Sequence, residues 1–364
     1  MLYNPQEQFA LEFVVTDFLT QFCGRTMDPE EADFFYLPLT RDAEYRVSLG
    51  RGDRNPSTAD LALMSLILKN DRSHWERAFQ VPLTYWDRHR GADHILVMPA
   101  PVTNFMHETN KRGFFHYMFQ IYRPIFLNVE FSESFIAEYP VCAGQKDIVM
   151  PYPTTDYEVF NGHLASVTAN VKRDRFMFYQ GGNHGSCTFI RTQLNNLTQR
   201  LEVGMKKVRG KYWRETNFRK SVFCPIPVGD SPSSKRMYDV MHLGCIPVVL
   251  SDDLVWAFSK TAGGVIDPTA FSIQIPQQVR QTKHACPDAN SVYVPESMHD
   301  NTLVNILRCV SAADVAALQE GVKMFSQFYR YYADNASLTT IPTALKIMPD
   351  GAAIEMMAKF LSVR

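Results

Sequence analysis

Strand-like and helix-like patterns alternate along the first 155 residues of the chain. Apolar residues recur at helical spacing in 10–22 and 59–70. Four short apolar runs bounded by turn residues are typical of buried strands: 33–39, 94–100, 123–130 and 146–153. Because strands that alternate with helices are typical of parallel sheets, this part of the chain predicts a four-stranded α/β domain.

A second series of strands and helices begins after residue 172. Its predicted strands are 175–182, 221–227, 246–253 and 271–276. Its predicted helices are 189–202, 233–244, 301–310, 311–332 and a terminal helix near 350–363. Strand signals lapse between 154 and 172, so we predict two domains, 1–160 and 161–364, the second ending in a largely helical segment. Two α/β sheets in series predict two facing Rossmann-like domains, with a ligand at the carboxyl ends of the strands.

The overall charge counts against one class of partner. Lys and Arg number 37 and Asp and Glu 38 in 364 residues, so no net field attracts nucleic acid or an anionic membrane. Hydrophobic residues make up 46% of the chain, which is enough core material for two globular domains. No run of about 18 apolar residues is present, and the first residues do not resemble a signal peptide. We therefore expect neither a membrane-spanning helix nor a leader within this sequence.

Seven cysteines are scattered along the chain without a CxxC pair, which argues against a zinc module and against a dense disulfide scaffold. Most of them, Cys245 in its apolar run included, are expected to be buried apolar residues. The sequence also allows one or two disulfides if the chain is located in a secretory lumen. The glycosylation triplets at Asn196 and Asn335 are compatible with that location.

Several common active-site motifs are absent from the sequence. It contains no GxGxxG, GxxxxGK[ST], HExxH or GxSxG motif and no Asp-x-Asp triplet. His284 and Cys286 lack a second pair of ligands, so we predict no metal site there. Any anionic ligand is therefore expected to be held by backbone dipoles and arginines.

The segment 221–253 is the strongest candidate for an anion site. A strand leads into a turn rich in Gly, Asp, Ser and Pro, and then into a helix predicted to open at Ser233 and Ser234 and to carry Arg236. A helix N-terminus with hydroxyls and a guanidinium favours phosphate. Asp239 lies three residues later on the same helical face, where it could accept hydrogen bonds from a ribose. The alternative is a well-capped helix with a surface Arg–Asp pair.

A second turn predicts part of the same site. Gly181 and Gly182 follow the strand 175–182 and would allow the backbone to approach a ligand. Arg191 falls in the first turns of the next helix and could face the same cleft as Arg236. The alternative is that the two glycines are ordinary turn residues.

These stretches resemble the exostosin-like family of glycosyltransferases, which build heparan-sulfate backbones in animals and decorate cell-wall polysaccharides in plants. The main match is CPIPVGDSPSSKRMYDVMHLGCIPVVLSDD, and YWDRHRGADHILV at 85–97 resembles the family's Trp-x-Arg–Gly-x-Asp-His stretch. DFFYLPL, KDIVMPYP and RFMFYQGG agree in order, so the resemblance covers about 30–280.

The resemblance implies a GT-B fold, in which 1–160 is the acceptor-side domain and 161–364 the nucleotide-sugar domain. It implies inverting transfer of a sugar from a UDP-sugar to a hydroxyl of a glycan or glycoconjugate, with no obligatory metal or other cofactor. Arg191 and Arg236 would hold the diphosphate, and Asp239 stands where the family usually has a ribose-contacting Glu.

The family's usual location is the Golgi or secretory lumen, with a membrane tether that would lie outside this sequence. A cytoplasmic protein is the alternative. The resemblance also allows a homo-oligomer or a hetero-oligomer with a homologue.

The general base is the least defined part of the predicted site. Asp93 and His94 are candidates, but they precede the strand 94–100 instead of following it, so they could instead stabilise the Trp86–Arg88 turn. His107 and Glu108 follow that strand, at the carboxyl end where parallel sheets bind ligands, but they belong to no motif.

A run at 206–220, KKVRGKYWRETNFRK, carries seven basic residues and one Glu. The sequence predicts a solvated connection or, as the alternative, a contact for an anionic glycan.

Two other functions stay open. The chain could be a non-catalytic GT-B scaffold or a partner subunit of an active glycosyltransferase. It could also be an enzyme of the same fold that uses a GDP- or ADP-sugar. Binding of a panel of nucleotides distinguishes these alternatives.

Overall fold

The structure is a computed structural model. It describes residues 10–22, 24–37, 84–98, 124–130, 147–153, 171–182, 188–201, 213–228, 231–260, 264–275, 278–279, 292–293 and 302–329. The helices predicted at 59–70 and 350–363 lie outside the described residues. So do His107, Glu108, His284, Cys286 and Asn335.

The first sheet contains four parallel strands in chain order. They are β1 (Phe35–Leu37), β2 (His94–Met98), β3 (Ile125–Asn128) and β4 (Ile148–Val149). Strands β2 and β3 are buried along their whole length, which explains why their sequences are continuous apolar runs. Helix α1 (Leu11–Gln21) packs against β2. The strand and helix predictions for these segments are confirmed.

The second sheet is also parallel and also follows chain order. Its strands are β5 (Arg175–Met177), β6 (Ser221–Pro227), β7 (Ile246–Leu250) and β8 (Ile273–Gln274). The two central strands, β6 and β7, are almost entirely buried. A separate antiparallel pair, β9 (Gln278–Val279) and β10 (Val292–Tyr293), was not expected from the sequence.

Five helices accompany the second sheet in the described residues: α2 (Thr188–Leu201), α3 (Trp213–Lys220), α4 (Arg236–His242), α5 (Thr302–Arg308) and α6 (Ala312–Phe325). The prediction of a solvated connection at 206–220 holds for Trp213 and Arg214, which are exposed, but not for the buried face of α3. Its Phe218 is buried, with a ring centroid 5.0 Å from that of Phe178.

Helix α4 is shorter than the sequence predicts. It was expected to span 233–244 and to open at Ser233 and Ser234, but it begins at Arg236, after an N-cap residue, Lys235, that has no side-chain cap hydrogen bond. Serine side chains form hydrogen bonds with nearby backbone groups in non-helical conformations, which favours a helix that begins after them. The two serines therefore precede the helix.

The other end of α4 agrees with the prediction. Gly244 has a φ of +74°, and its amide and that of Cys245 donate hydrogen bonds to the carbonyl oxygens of Met241 and Val240, at 2.8 and 2.9 Å. This is a Schellman motif, which requires a left-handed residue at Gly244.

The expectation that Cys245 is simply a buried apolar residue is wrong. Cys245, just before β7, forms a disulfide with Cys224 in β6, with 6.0 Å between their Cα atoms. Cys224 lies opposite Pro247 in the register of the two strands, so pairing of β6 with β7 brings the cysteines together. Cys309, by contrast, has a free and exposed thiol.

The described residues fall into two compact units. The residues up to 153 and the segment 255–266 form the first, and 171–254 with 267–329 form the second. The domain boundaries 1–160 and 161–364 stay predictions, because 154–170 lie outside the described residues. Neither sheet reverses its strand order within the described strands, so these strands do not include the switch point of a doubly wound sheet.

None of the helices in the part of the chain that the structure describes has both the length and the apolar character that a membrane crossing needs.

Candidate functional site

The carboxyl edge of the second sheet gathers most of the predicted site residues. Residues 178–182 follow β5, residues 231–235 lie between β6 and α4, and Ser251 follows β7. Because β5, β6 and β7 are parallel neighbours, these segments emerge at one edge of the sheet. That edge is where open α/β sheets bind ligands.

Arg236 and Tyr179 are in direct contact at this edge. The guanidinium carbon of Arg236 lies 5.0 Å from the centroid of the Tyr179 ring. Burial lowers the pKa of Arg236, with the positive charges of Arg191 and Arg214 acting in the same direction. Arg236 forms no ion pair with a carboxylate in the described residues. Arg236 is thus a partly buried cation over an aromatic face, and not the surface arginine of the alternative interpretation.

Gly181 makes the approach of Tyr179 and Arg236 possible. A Cβ atom at this position would overlap the Tyr179 hydroxyl and would lie 3.2 Å from Nη2 of Arg236. The Nδ2 amide of Asn195 in α2 donates a 3.0 Å hydrogen bond to the Gly181 carbonyl oxygen, which anchors the turn to the helix. The glycine is therefore needed for close packing against the two side chains.

Arg191 reaches the same turn from α2. Its Nη1 atom lies 3.5 Å from the carbonyl oxygen of Gly182, at the outer limit of hydrogen bonding, and the residue is buried. The positive charges of Arg191 and Arg236 both act on Tyr179, whose pKa is nevertheless raised because burial dominates. The structure therefore brings together Gly181, Gly182, Arg191 and Arg236, as the sequence predicted.

Three buried polar atoms at this edge have no hydrogen-bond partner in the described residues. They are the hydroxyl oxygens of Ser234 and Ser251 and the side-chain oxygen of Gln180. Ser251 is only 1% exposed. Buried polar groups in folded proteins are nearly always hydrogen-bonded, so these three atoms are available to a polar ligand at this edge.

Asp239 pairs with a different cation from the one that the sequence suggested. Its carboxylate oxygens lie 2.5 and 2.6 Å from Nζ of Lys235, one helical turn earlier. The alternative of a surface Arg236–Asp239 pair is therefore wrong, because Lys235 occupies the carboxylate. Ser233, the remaining predicted residue, is buried in the turn before α4.

Asp93 and His94 lie at the amino end of β2. One Asp93 carboxylate oxygen is 2.8 Å from Nδ1 of His94, and the other accepts a 3.2 Å bond from Arg88. The His94 ring packs against those of Phe35 and Trp86, with centroid distances of 4.9 and 4.7 Å. Burial lowers the pKa of His94, and the Asp93 carboxylate opposes that shift only in part. These contacts join the turn to the strand at the edge opposite to the usual ligand edge.

Four residues near the two carboxyl edges were not singled out from the sequence. Tyr179 lies beneath Arg236, Lys235 holds Asp239, and Arg214 in α3 acts electrostatically on Arg236. Glu130 is a buried acid that follows β3 at the carboxyl edge of the first sheet. The carboxyl-end rule could have found Tyr179 and Glu130, and the basic run 206–220 already contained Arg214.

A parallel α/β sheet with buried or partly buried arginines and unpaired hydroxyls at its carboxyl edge is typical of proteins that bind phosphorylated ligands. The chain belongs to the exostosin GT47 domain family, whose model matches residues 4–285. The match confirms the resemblance in the motifs and extends beyond 30–280 at both ends.

Curated proteins from a moss and from flowering plants are similar to the chain, at 23–26% identity. A probable glucuronosyltransferase 47 A of Physcomitrium patens is 26% identical over 263 residues, which cover 69% of this chain and 54% of that protein. A probable glucuronosyltransferase GUT1 of Oryza sativa subsp. japonica is 25% identical, and a probable beta-1,4-xylosyltransferase IRX10L of Arabidopsis thaliana is 23% identical. Each of those alignments covers 69% of this chain and 58% of the relative. The chain thus spans just over half the length of these relatives.

Proposed function

We propose that the chain is an inverting glycosyltransferase that moves a sugar from a UDP-sugar to a hydroxyl of a glycan or glycoconjugate. The observation that carries the proposal is the partly buried Arg236 guanidinium, which lies over Tyr179 and forms no ion pair with a carboxylate in the described residues. A diphosphate supplies the anion that such a cation lacks. Membership of the family and the names of the relatives support sugar transfer as the reaction.

The proposed chemistry is a single displacement at the anomeric carbon. The acceptor oxygen forms a bond to that carbon while the bond to the diphosphate oxygen breaks, and the electron pair leaves with UDP. Negative charge grows on the diphosphate during this step, so Arg236 and Arg191 stabilise the transition state more than the ground state. The acceptor proton passes to a general base, for which Asp93 and His94 remain candidates from the sequence alone.

The proposal assigns neutralisation of the diphosphate to guanidinium groups. It therefore includes no obligatory metal or other cofactor, and transfer should persist when divalent cations are chelated. It also includes the GT-B arrangement of two facing Rossmann-like domains, 1–160 on the acceptor side and 161–364 on the donor side.

We further propose that the protein works in the Golgi or another secretory lumen. The Cys224–Cys245 disulfide supports this location, because disulfides persist in oxidising compartments. Asn196 in α2 is exposed and could carry a glycan. A glycan on Asn196 in material from the natural source would support the location, and seven free thiols without a glycan would contradict it.

Calorimetric titration with UDP, GDP, ADP and UMP tests the donor class. We expect UDP to bind best, and UMP to bind at least about tenfold more weakly because it lacks the second phosphate. Preference for GDP or ADP would indicate another donor class. No binding by any nucleotide would favour the non-catalytic scaffold. Because the relatives are named for glucuronosyl and xylosyl transfer, UDP-glucuronic acid and UDP-xylose are the first donors to assay.

A further inference from the structure

Lys235 and Asp239 form a close and largely buried ion pair beside Arg236. Nζ of Lys235 lies 2.5 and 2.6 Å from the two carboxylate oxygens, and the side chains are only 9% and 15% exposed. Lysine is seldom buried to this degree, because taking its charge out of water costs free energy. The burial of this ion pair at a ligand edge therefore requires an explanation other than helix stability.

A second lysine pair in the described residues shows what an ordinary helical pair looks like. Lys323 and Glu320 in α6 are 3.4 Å apart, with side chains 43% and 73% exposed. Such exposed pairs contribute little to stability. The pair at Lys235 is shorter, contacts both carboxylate oxygens and lies among buried residues, so it holds the Asp239 carboxylate in one orientation.

The held carboxylate can still accept hydrogen bonds. Its two oxygens offer about four lone-pair sites, and the ammonium group of Lys235 occupies two of them. The remaining sites are available to hydroxyl donors. In a nucleoside diphosphate the ribose is bonded directly to the diphosphate, so a carboxylate one helical turn from Arg236 is suitably spaced for ribose hydroxyls.

A bare carboxylate at this position would also repel the diphosphate. Asp239 is close enough to Arg236 to favour the charged form of the guanidinium. The negative charge of Asp239 therefore also acts where the diphosphate would bind. The ammonium group offsets that charge while leaving the oxygens in place. Orientation and charge compensation therefore both depend on Lys235.

We infer that Lys235 is a positioning residue, which orients and neutralises Asp239 so that this carboxylate accepts hydrogen bonds from the ribose hydroxyls of a nucleoside diphosphate. The inference rests on the proposed function, because it requires UDP to bind at the carboxyl edge of the second sheet. It assigns to Lys235 a role in selecting ribose, which Arg236 and Arg191 do not have.

The test compares UDP with 2′-deoxy-UDP and 3′-deoxy-UDP by calorimetry, on the 364-residue parent, Lys235→Met, Lys235→Arg and the control Lys323→Met. The parent should bind at least one deoxy ligand about 10- to 100-fold more weakly than UDP, since it loses a hydrogen bond to a charged acceptor. Lys235→Met should reduce this ratio to about threefold or less. Lys235→Arg should restore most of it, and Lys323→Met should leave it at the parent value.

The outcomes separate this inference from the proposed function. A parent that binds no nucleotide contradicts the proposed function and the inference together. A parent that binds UDP without distinguishing the deoxy ligands, or a Lys235→Met variant with the full ratio, overturns the inference alone. If Lys235→Met does not fold, Lys235→Gln replaces it under the same criterion. A purely structural lysine would change the melting temperature without changing the ratio.

Discussion

The cluster at the amino end of β2 and the cluster at the carboxyl edge of the second sheet use similar side chains but treat charge differently. In the first, each Asp93 oxygen has its own partner, Arg88 or His94. In the second, the partly buried Arg236 lies over Tyr179 without an ion pair to a carboxylate in the described residues. Both clusters contain a glycine on which an aromatic side chain packs, Gly91 against Trp86 and Gly181 against Tyr179.

This contrast distinguishes a structural polar cluster from a ligand site. The Asp93 carboxylate joins two different side chains of the protein, and removing it leaves the buried His94 without its acceptor. A partly buried cation without an anion costs stability, so its retention suggests that a ligand supplies the anion. The two clusters should therefore respond in opposite ways to matched substitutions.

The largest expected effects come from the two glycines. Gly91→Ala should lower the free energy of unfolding by about 2–4 kcal/mol, because Gly91 has a φ of +75° and a Cβ atom there would overlap Trp86. Its UDP affinity should stay at the parent value. Gly181→Ala should instead weaken UDP binding by about tenfold or more, because the added methyl group displaces Tyr179 and Arg236. Denaturant titration and calorimetry measure both quantities, and the same pattern in both variants would remove the distinction.

The disulfide should matter to stability and not to affinity. Replacing Cys224 and Cys245 by Ala should lower the free energy of unfolding by about 3 kcal/mol, as expected for a loop closed across a separation of 21 residues. UDP affinity measured well below the melting temperature should change less than about twofold, because the bond ties β6 to the start of β7 within the sheet. Cys309→Ala is the control and should change neither quantity, since that thiol is free and exposed.

Asp93 tests whether the first cluster has a catalytic role. Asp93→Asn should lower the free energy of unfolding by about 1–3 kcal/mol, because Arg88 and His94 lose a charged acceptor. Affinity for UDP should not change, and transfer should fall no more than stability explains. A loss of transfer above about 100-fold in a stable Asp93→Asn protein would instead identify Asp93 as part of the catalytic machinery.

The smallest expected effect is the pH dependence contributed by His94. Its pKa in the folded protein lies below 6.5, mainly because of burial, so below pH 6.5 the unfolded chain binds more protons than the folded one. The contribution of His94 is therefore fully present above pH 6.5 and decreases as the pH falls towards the folded pKa, by at most about 1.4 kcal/mol per pH unit. Melting temperatures from pH 5 to 8 should show this slope in the parent and less of it in His94→Gln. Equal slopes would contradict the assignment.

Local patterns predicted the elements well where one signal dominated. The strand at 221–227 agrees with β6, Ser221–Pro227, because its apolar run is bounded by a helix and a turn. The end of α4 agrees because Gly244 can adopt a left-handed conformation. The start of α4 differs because Ser233 and Ser234 do not specify whether they cap, enter or precede a helix.

Contacts between distant segments could not be obtained from local patterns. The Cys224–Cys245 bond depends on the register of β6 against β7. The partner of Asp239 depends on which of two adjacent cations, Lys235 or Arg236, turns towards it, and helical spacing allows both. The aromatic face beneath Arg236 comes from a residue 57 positions earlier, Tyr179, and only the pairing of β5 with β6 brings them together.

UDP titration of the parent and Arg236→Ala shows whether the carboxyl edge of the second sheet binds the donor. Affinity should fall by about 10- to 200-fold, because a charge-assisted contact to the diphosphate is lost, and Arg236→Lys should recover only part of it. The melting temperature of Arg236→Ala should stay close to that of the parent, since Arg236 is partly exposed and loses only its contact with Tyr179. An Arg236→Ala protein that binds UDP as tightly as the parent would contradict the assignment of this edge of the sheet as the donor site.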